Sequence, residues 1–130
     1  MNILLDTHIA VWSVMLVDRL TSEVRDLIVD PANDVYVSAA SIWEIGIKYE
    51  LGRSGAPPFG GEEAIRQFEN ADYVLMDIQP RQVAAASRLP RHHADPFDRL
   101  LVAQALEGPY RLITRDPTIA RYSDSIILMR

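Results

Sequence analysis

The sequence predicts an α/β fold in which a central, mostly parallel sheet of about five strands is covered by helices on both faces. Short apolar runs typical of strands alternate with longer segments whose apolar residues recur at helical spacing. The chain has 130 residues, 48% hydrophobic and 24% charged, which is enough to bury one core. We therefore expect a single domain over residues 1–130.

The first four elements begin this alternation. "NILLD" predicts a strand that ends on an acid, and "THIAVWSVML" is long enough for a helix. "TSEVRDLIVD" places apolar residues at helical spacing behind a Thr or Ser cap, and Pro31 ends that helix. "DVYVSA" is rich in β-branched and aromatic residues, which predicts the second strand.

The third helix is predicted over residues 40–51, "ASIWEIGIKYEL", where apolar residues recur at helical spacing. Ser41, followed three residues later by Glu44, fits a capping box at its start. The next ten residues, "GRSGAPPFGG", are mostly Gly and Pro, so we expect a loop there.

The second half of the chain continues the pattern. "EEAIRQFENA" predicts a helix, "YVLMDI" a strand and "PRQVAAASRL" another helix. The remaining strands are predicted at "YRLITRD", which closes on an acid, and at "SIILM".

The segment "HADPFDRLLVAQA" lies between the helix "PRQVAAASRL" and the strand "YRLITRD". It predicts an apolar helix that opens with two aspartates. Asp95 fits the N-cap position and Pro96 the first helical position, where a missing N–H costs nothing. Asp98 falls in the first turn, near the positive end of the helix dipole. Capping explains Asp95 well and Asp98 only partly, so Asp98 is a candidate for a functional role.

Composition excludes several classes of protein. Thirteen Lys and Arg against eighteen Asp and Glu give a net charge of −5, so the molecule is not a basic nucleic-acid coat. There are no cysteines, which excludes disulfides, thiolate nucleophiles and cysteine-bound zinc. We expect a cytoplasmic protein, since the apolar start has no basic leader and carries Asp6 and His8 within the run.

Four acids fall where a parallel α/β sheet places its chemistry. Asp6 and Asp116 each end a predicted strand, and sites in such sheets form at the carboxyl ends of strands. Glu44 and Asp98 lie in the first turns of two helices that begin at the same rim. Each acid taken alone fits a turn or a cap, but together they predict a shared site.

Carboxylates brought together repel one another unless a cation compensates their charge. Oxygen ligands without cysteine favour Mg²⁺ or Mn²⁺ over zinc. Such an ion suits water attack on a phosphodiester, because it activates the water and stabilises charge on the phosphate. The sequence therefore predicts a metal-dependent hydrolase acting on phosphodiesters, with one or two ions.

Other polar residues have competing interpretations. Thr7 and Thr114 flank acids and are able to orient them, although a turn hydroxyl is the simpler expectation. Arg99 either contacts an RNA phosphate or pairs with a neighbouring carboxylate. For His92 and His93 we expect a solvated loop.

Two further groups are expected to be structural. Core packing is the expectation for Trp12 and Trp43, because both lie in apolar helical patterns. Three arginines toward the C-terminus either form a local positive patch or are scattered over the surface, and we favour scattering: Arg111, Arg115 and Arg121.

Four segments together resemble the PIN-domain ribonucleases, and more narrowly the VapC toxins of prokaryotic toxin–antitoxin pairs. They are "LLDTHIAVW" (4–12), "VSAASIWEIGIK" (37–48), "HADPFDRLLVAQA" (93–105) and "LITRD" (112–116). The segments follow the family's order across most of the chain. The resemblance implies a PIN-like three-layer α/β/α sandwich.

The resemblance also implies a function. It implies an Mg²⁺- or Mn²⁺-dependent endoribonuclease that leaves 5′-phosphate and 3′-hydroxyl ends. It further implies a homodimer inhibited by a small VapB-like antitoxin, whose C-terminal segment enters near the acidic site. The family's four acids fall on Asp6, Glu44, Asp98 and Asp116, with Asp95 as a secondary candidate.

Other functions fit the sequence less well. A haloacid-dehalogenase-like phosphatase needs a second acid where this chain has His8, and a receiver-like domain needs a late lysine, whereas Lys48 is the last lysine. A non-catalytic PIN-like module that binds RNA or protein remains the alternative, since sequence shows the acids but not their geometry.

Overall fold

A computed structural model describes residues 1–130 and contains one five-stranded sheet, all parallel, in the order β3-β2-β1-β4-β5. The strands are β1 Asn2–Leu5, β2 Asp34–Ser38, β3 Val74–Met76, β4 Tyr110–Thr114 and β5 Ile127–Leu128. Strands from both ends of the chain thus join the same sheet. The predicted α/β fold with a parallel five-stranded sheet is confirmed.

Seven helices connect and cover these strands. They are α1 Thr7–Met15, α2 Ser22–Val29, α3 Ala39–Leu51, α4 Gly61–Asn70, α5 Pro80–Arg88, α6 Pro96–Glu107 and α7 Pro117–Ala120. The sequence patterns did not predict α7 or the single 3₁₀ turn at Val17–Arg19, because both are too short to show helical periodicity. None of the helices is both long and apolar enough to cross a membrane.

The sheet is buried on both faces, as the apolar run in β1 predicts. Ile3 and Leu5 pack into one core with residues of α1, α2 and α4. Leu4 points the other way, into a second core formed mainly with α6 and α7. This alternation follows from the two-residue period of a strand and gives the three layers of the α/β/α sandwich.

The capping box predicted for α3 is wrong. The helix begins earlier, at Ala39, and Ser38 is its N-cap, with the Ser38 hydroxyl accepting the Ala40 N–H at 3.0 Å. Ser41 and Glu44 therefore lie inside the helix, and both are buried. The end of α3 agrees with the pattern, since Gly52 adopts φ 63°, the left-handed conformation that glycine allows at a helix end.

The strand order creates a crevice at one edge of the sheet. The connection from β1 leads to β2 on one side, whereas β4 lies on the other side of β1. Ligand sites in open parallel sheets form outside the carboxyl ends of the strands at such a switch point. Asp6 directly follows β1, and Asp116 lies two residues beyond the end of β4, so both belong to this edge.

Candidate active site

Asp6 is a buried carboxylate at the carboxyl end of β1, with 4% of its surface exposed. Its Oδ1 accepts the Ile9 N–H at 2.9 Å, which makes Asp6 the N-cap of α1. Its Oδ2 accepts the Thr114 hydroxyl at 2.5 Å. Burial raises the pKa of Asp6, and the hydrogen bonds from Thr114 and Ile9 only partly offset that effect.

Asp116 lies beyond β4 and caps α7, because its Oδ1 accepts the Thr118 N–H at 2.8 Å. Burial acts to raise the pKa of Asp116, but hydrogen bonds from the Thr118 N–H and from His93 outweigh it and lower that pKa. The Asp116 N–H donates to the Thr114 hydroxyl oxygen at 3.1 Å. Thr114 therefore contacts Asp6 and Asp116 together, and the expectation that it is a mere turn hydroxyl is wrong.

Asp98, in the first turn of α6, is a partly buried carboxyl close to several other carboxyls. Its pKa is raised to about 7, first by burial and then by the negative charges of Asp95, Glu44 and Asp6. Asp95 itself is the N-cap of α6, since its Oδ1 accepts the Phe97 N–H at 2.8 Å and the Asp98 N–H at 3.3 Å. The capping role favoured for Asp95 thus agrees with the geometry.

Glu44 is held on α3 with only 3% of its surface exposed. The Thr7 hydroxyl donates to Glu44 Oε1 at 2.7 Å and lies 2.9 Å from the Ser41 hydroxyl. Lys48 donates to Glu44 Oε2 from one turn along the helix. Burial acts to lower the pKa of Lys48, but the hydrogen bond and the charge of Glu44 outweigh it and raise that pKa. Thr7, like Thr114, is therefore a buried partner of an acid.

His93 is the site residue that sequence reasoning missed. We expected a solvated loop, but the His93 side chain is only 19% exposed and its Nε2 lies 2.9 Å from Asp116 Oδ2 and 3.4 Å from Asp98 Oδ2. The candidate ligand atoms of His93, Asp98 and Asp116 all lie within 4.8 Å of one another. The available signal was the position of His93 two residues before the N-cap aspartate Asp95.

Arg99 does not form the carboxylate pair considered for it. Its guanidinium contacts no carboxylate and instead donates to backbone carbonyls and to the Tyr122 hydroxyl. The carbonyl acceptors belong to Ala86, Leu89, Pro90 and His93. Arg99 therefore fixes the segment that joins α5 to α6.

The other arginines do not converge on the acids. Arg111 donates to the Ser125 carbonyl at 2.9 Å, and the guanidinium of Arg115 lies 4.9 Å from the ring centroid of Trp12. The scattered arrangement favoured for these arginines agrees with these contacts. Trp12 is buried as expected, with 9% of its surface exposed.

Trp43 contradicts the expectation of core packing, because 64% of its surface is exposed. Its ring meets Phe97 edge to face, with 5.3 Å between the centroids. Helical periodicity alone gave the wrong expectation for Trp43. The helix α3 carries apolar side chains on the face that contacts the core and also on a face that does not. Residues at four-residue spacing from Trp43 are also exposed: Ile47 and Leu51.

The donor set fits a hard divalent cation. Asp98 and Asp116 approach each other closely, and the charges of Asp6 and Glu44 reach Asp98 strongly enough to raise its pKa. Lys48 compensates Glu44, but Asp98 has no Lys or Arg partner. Clustered carboxylate oxygens with uncompensated charge are the ligands that Mg²⁺ and Mn²⁺ prefer.

Replacing Thr114 by valine should weaken both the site and the fold. Thr114→Val keeps a β-branched residue in β4 but leaves the buried Asp6 carboxylate without one of its donors. We expect the free energy of unfolding to fall by about 1–3 kcal/mol, as for other lost partners of buried polar groups. Chemical denaturation measures this change, and Thr114→Ser is the matched control that keeps the hydroxyl. Equal stability of the Val variant and the wild type would contradict the bridging role.

Known proteins are similar to this chain in sequence and in fold. A model of the PIN domain family matches residues 3–125. Ribonuclease VapC22 of Mycobacterium tuberculosis is 28% identical over 117 residues, which cover 88% of this chain and 87% of that protein.

Two solved structures have a similar fold. One is VapBC2 from Rickettsia felis, bound to a DNA fragment from the promoter of these proteins. Its TM-score is 0.66, and it is 17% identical over 98% of this chain and 97% of that chain. The other is FitAcB from Neisseria gonorrhoeae, with a TM-score of 0.55 and 19% identity over 100% of this chain and 97% of that chain. At these identities the likeness concerns the fold. Because the family model spans almost the whole sequence and the VapC resemblance is confirmed, the chain belongs to the PIN domain family.

Proposed function

We propose that this chain is a metal-dependent endoribonuclease that hydrolyses RNA phosphodiesters with Mg²⁺ or Mn²⁺, and that it is the toxin of a toxin–antitoxin pair. The observation that carries the proposal is the charge at Asp98. Its carboxyl lies near three other carboxyls and has a pKa of about 7. A site that keeps such repulsion in its resting state is suited to a cation.

Each side chain has a distinct role in this proposal. Asp98 and Asp116 would hold the cation, and Asp6 and Glu44 would complete its acidic surroundings directly or through water. When bound, the ion would supply the positive charge that activates a water and stabilises the phosphate in the transition state. Thr114 fixes the orientation of Asp6 and Asp116 through its hydroxyl. Lys48 neutralises Glu44 and so lowers the net negative charge of the site to an amount that one or two divalent ions can compensate.

The similarity to Ribonuclease VapC22 supports RNA as the substrate, since the two sequences align over most of both chains. Two of the four acids, Asp98 and Asp116, remain partly accessible at the sheet edge, which supports a macromolecular substrate. Asp116 and Asp98 retain side-chain exposures of 35% and 21%, so a backbone phosphate can approach them.

The proposal is tested by incubating the purified protein with total cellular RNA and Mg²⁺ or Mn²⁺. We expect defined fragments with 5′-phosphate ends that disappear in EDTA. Asp116→Asn is the matched variant, because asparagine also caps a helix but gives up the charge. Cleavage that persists in EDTA and in this variant would disprove a metal-dependent site. Binding of RNA without cleavage under any metal would favour the alternative, a non-catalytic binding module.

A groove beside the acids is the proposed docking place for the antitoxin. It has a volume of about 570 Å³ and includes Thr7 and Glu44, so it is continuous with the site. Its apolar lining comes largely from α1, from the residue that follows α1, and from α3: Val11, Leu16, Ile47 and Leu51. Fold similarity to VapBC2 supports a VapB-like partner. A mainly apolar C-terminal segment of such an antitoxin fits this lining and would lie next to the carboxylates.

Leu51→Glu should weaken the antitoxin complex without affecting cleavage. Leu51 is 55% exposed at the end of α3, so the variant keeps the core but places a charge in the apolar groove. We expect the affinity for the product of an adjoining small antitoxin gene to fall by at least about tenfold, measured by calorimetry. Val83→Glu is the matched control, because Val83 is 52% exposed on α5 and does not line the groove. Equal losses in both variants would place the antitoxin elsewhere.

We also propose a cytoplasmic homodimer, in line with the VapC resemblance. The absence of cysteine supports a reducing compartment. The exposed apolar residues on α3 provide surface that a second copy or the antitoxin can cover. Light scattering of the purified chain at several concentrations measures the assembly, and a monomer at all concentrations would contradict the dimer.

A further inference from the structure

The two ring nitrogens of His93 have different partners. Nδ1 accepts the Asp95 backbone N–H at 3.0 Å, whereas Nε2 lies 2.9 Å from Asp116 Oδ2 and 3.4 Å from Asp98 Oδ2. A neutral imidazole has one donor nitrogen and one acceptor nitrogen. Because a backbone N–H can only donate, Nδ1 is the acceptor, and we assign the ring proton to Nε2. His93 therefore donates its ring N–H to Asp116, and the same nitrogen lies within ion-pair distance of Asp98.

The backbone of His93 is also fixed from both sides. Its N–H donates to the Tyr122 hydroxyl at 3.1 Å, and its carbonyl accepts from Arg99 at 3.3 Å. The Tyr122 hydroxyl in turn donates to the Pro90 carbonyl at 2.7 Å, and Arg99 donates to the same carbonyl at 3.1 Å. The position of the His93 ring is thus set by its neighbours before any ligand arrives.

We propose that His93 is a positioning residue that holds Asp98 and Asp116 at the distance needed to share a cation, by donating from Nε2 and without binding the ion itself. The inference rests on the function proposed above. An ion would need the lone pair of a ring nitrogen, but Nδ1 is occupied by the Asp95 N–H and Nε2 carries the proton. Each carboxylate keeps further lone pairs for a cation, because two oxygens offer about four acceptor sites.

The geometry separates this role from that of a metal ligand. A donor between two carboxylates lowers their repulsion and fixes their orientation, which improves metal affinity indirectly. Residues that orient metal ligands in this way typically contribute about 10–100-fold in affinity. A glutamine at position 93 also carries an N–H donor at a similar distance from the backbone, whereas leucine has similar bulk and no donor. If His93 acts as a donor, the Gln and Leu variants should differ in metal affinity. If His93 is a metal ligand through its imidazole, both variants should lose affinity to a similar extent.

The experiment measures Mn²⁺ binding to the full chain by calorimetry, with RNA cleavage measured alongside. We expect His93→Leu to lower Mn²⁺ affinity by about 10–100-fold, and His93→Gln to recover most of that loss. His92→Leu is the matched control, because the His92 ring packs edge to face on Tyr122 at 4.9 Å and lacks contacts with the acids. Equal losses in the Leu and Gln variants, or wild-type affinity in the Leu variant, would overturn the positioning role.

A second readout does not depend on catalysis. Long-range ¹H–¹⁵N spectra of the metal-free protein should show His93 protonated at Nε2, and saturating Mg²⁺ should leave it protonated there. A proton at Nδ1 in the metal-free protein would contradict the assigned donor, and loss of the Nε2 proton on adding Mg²⁺ would show that His93 is a ligand. If the wild type binds neither Mn²⁺ nor Mg²⁺, the proposed function itself fails. If the wild type binds them and His93→Leu binds equally well, the positioning inference alone fails.

Discussion

Asp98→Asn should abolish RNA cleavage and at the same time make the metal-free protein more stable. The carboxyl of Asp98 has its pKa raised from 3.8 to about 7 by burial and by neighbouring carboxylates. At about 1.4 kcal/mol per pKa unit, the ionised form costs the fold up to about 4 kcal/mol. Asparagine removes that charge with almost the same shape. We therefore expect the free energy of unfolding near pH 8 to rise, and cleavage to fall by at least about 100-fold through loss of a metal ligand.

The measurement pairs urea unfolding of the metal-free variant with cleavage assays in Mg²⁺ and Mn²⁺. Asp18→Asn is the matched control, because the Asp18 side chain is 99% exposed and its charge is not among those that shift the pKa of Asp98. We expect that control to match the wild type in both assays. A less stable Asp98→Asn protein would mean that the charge of Asp98 is already compensated. Unchanged cleavage would remove Asp98 from the site.

The metal-free protein should lose stability as the pH rises from about 5 to about 8. The folded-state pKa of Asp98 lies above its unfolded value. Its contribution to stability is therefore fully present below the unfolded pKa and is lost as the pH rises through about 7. Burial also raises the pKa of Asp6, which acts in the same direction. The lowered pKa of Asp116 instead adds stability at higher pH. That contribution is lost only in more acidic solution, as the pH falls through the folded-state pKa of Asp116.

Mg²⁺ should reverse this loss near pH 8 and have little effect near pH 5. A cation that binds only the folded state stabilises it by about 1.4 kcal/mol at ten times its dissociation constant. Near pH 5 Asp98 is protonated, so the proton competes with the ion. Thermal unfolding with Mg²⁺ or EDTA at each pH measures both effects, and Asp98→Asn should flatten the pH dependence. Stabilisation by Mg²⁺ that is equal at both pH values would place the ion away from Asp98.

The agreement between sequence and fold has a physical basis in periodicity. A strand buried on both faces needs a continuous apolar run, and β1 has such a run in Ile3, Leu4 and Leu5. A helix that covers a sheet needs apolar residues every three or four positions, which identified α2 and α4. Two elements, the 3₁₀ turn of three residues and α7 of four, are too short to show a repeating pattern and could not be found in this way.

The location of the acids could also be predicted, because parallel strands end at the same edge of a sheet. Asp6 and Asp116 were placed at that edge from their positions after apolar runs alone. The capping role of Asp95 was equally predictable, since an aspartate followed by proline at a helix start satisfies local backbone groups. These features depend on residues that are neighbours in the sequence.

The contacts that complete the site depend on residues far apart in the sequence. Thr114 reaches Asp6 across 108 positions, and Thr7 reaches Glu44 across 37. His93 meets Asp116 only because Arg99 and Tyr122 fix the loop before α6. Local periodicity carries no information about such pairs, since strand register and helix packing set their distances.

The sequence by itself thus determined the α/β architecture, the edge of the sheet that carries the acids and the oxygen-rich character of the site. The tertiary structure decided that His93 lies between two carboxylates, that Arg99 binds the backbone and that Trp43 is exposed. The difference is physical. Patterning fixes which face of an element is buried, whereas the direction of a single polar side chain depends on which donors and acceptors the packed fold brings within about 3 Å of it.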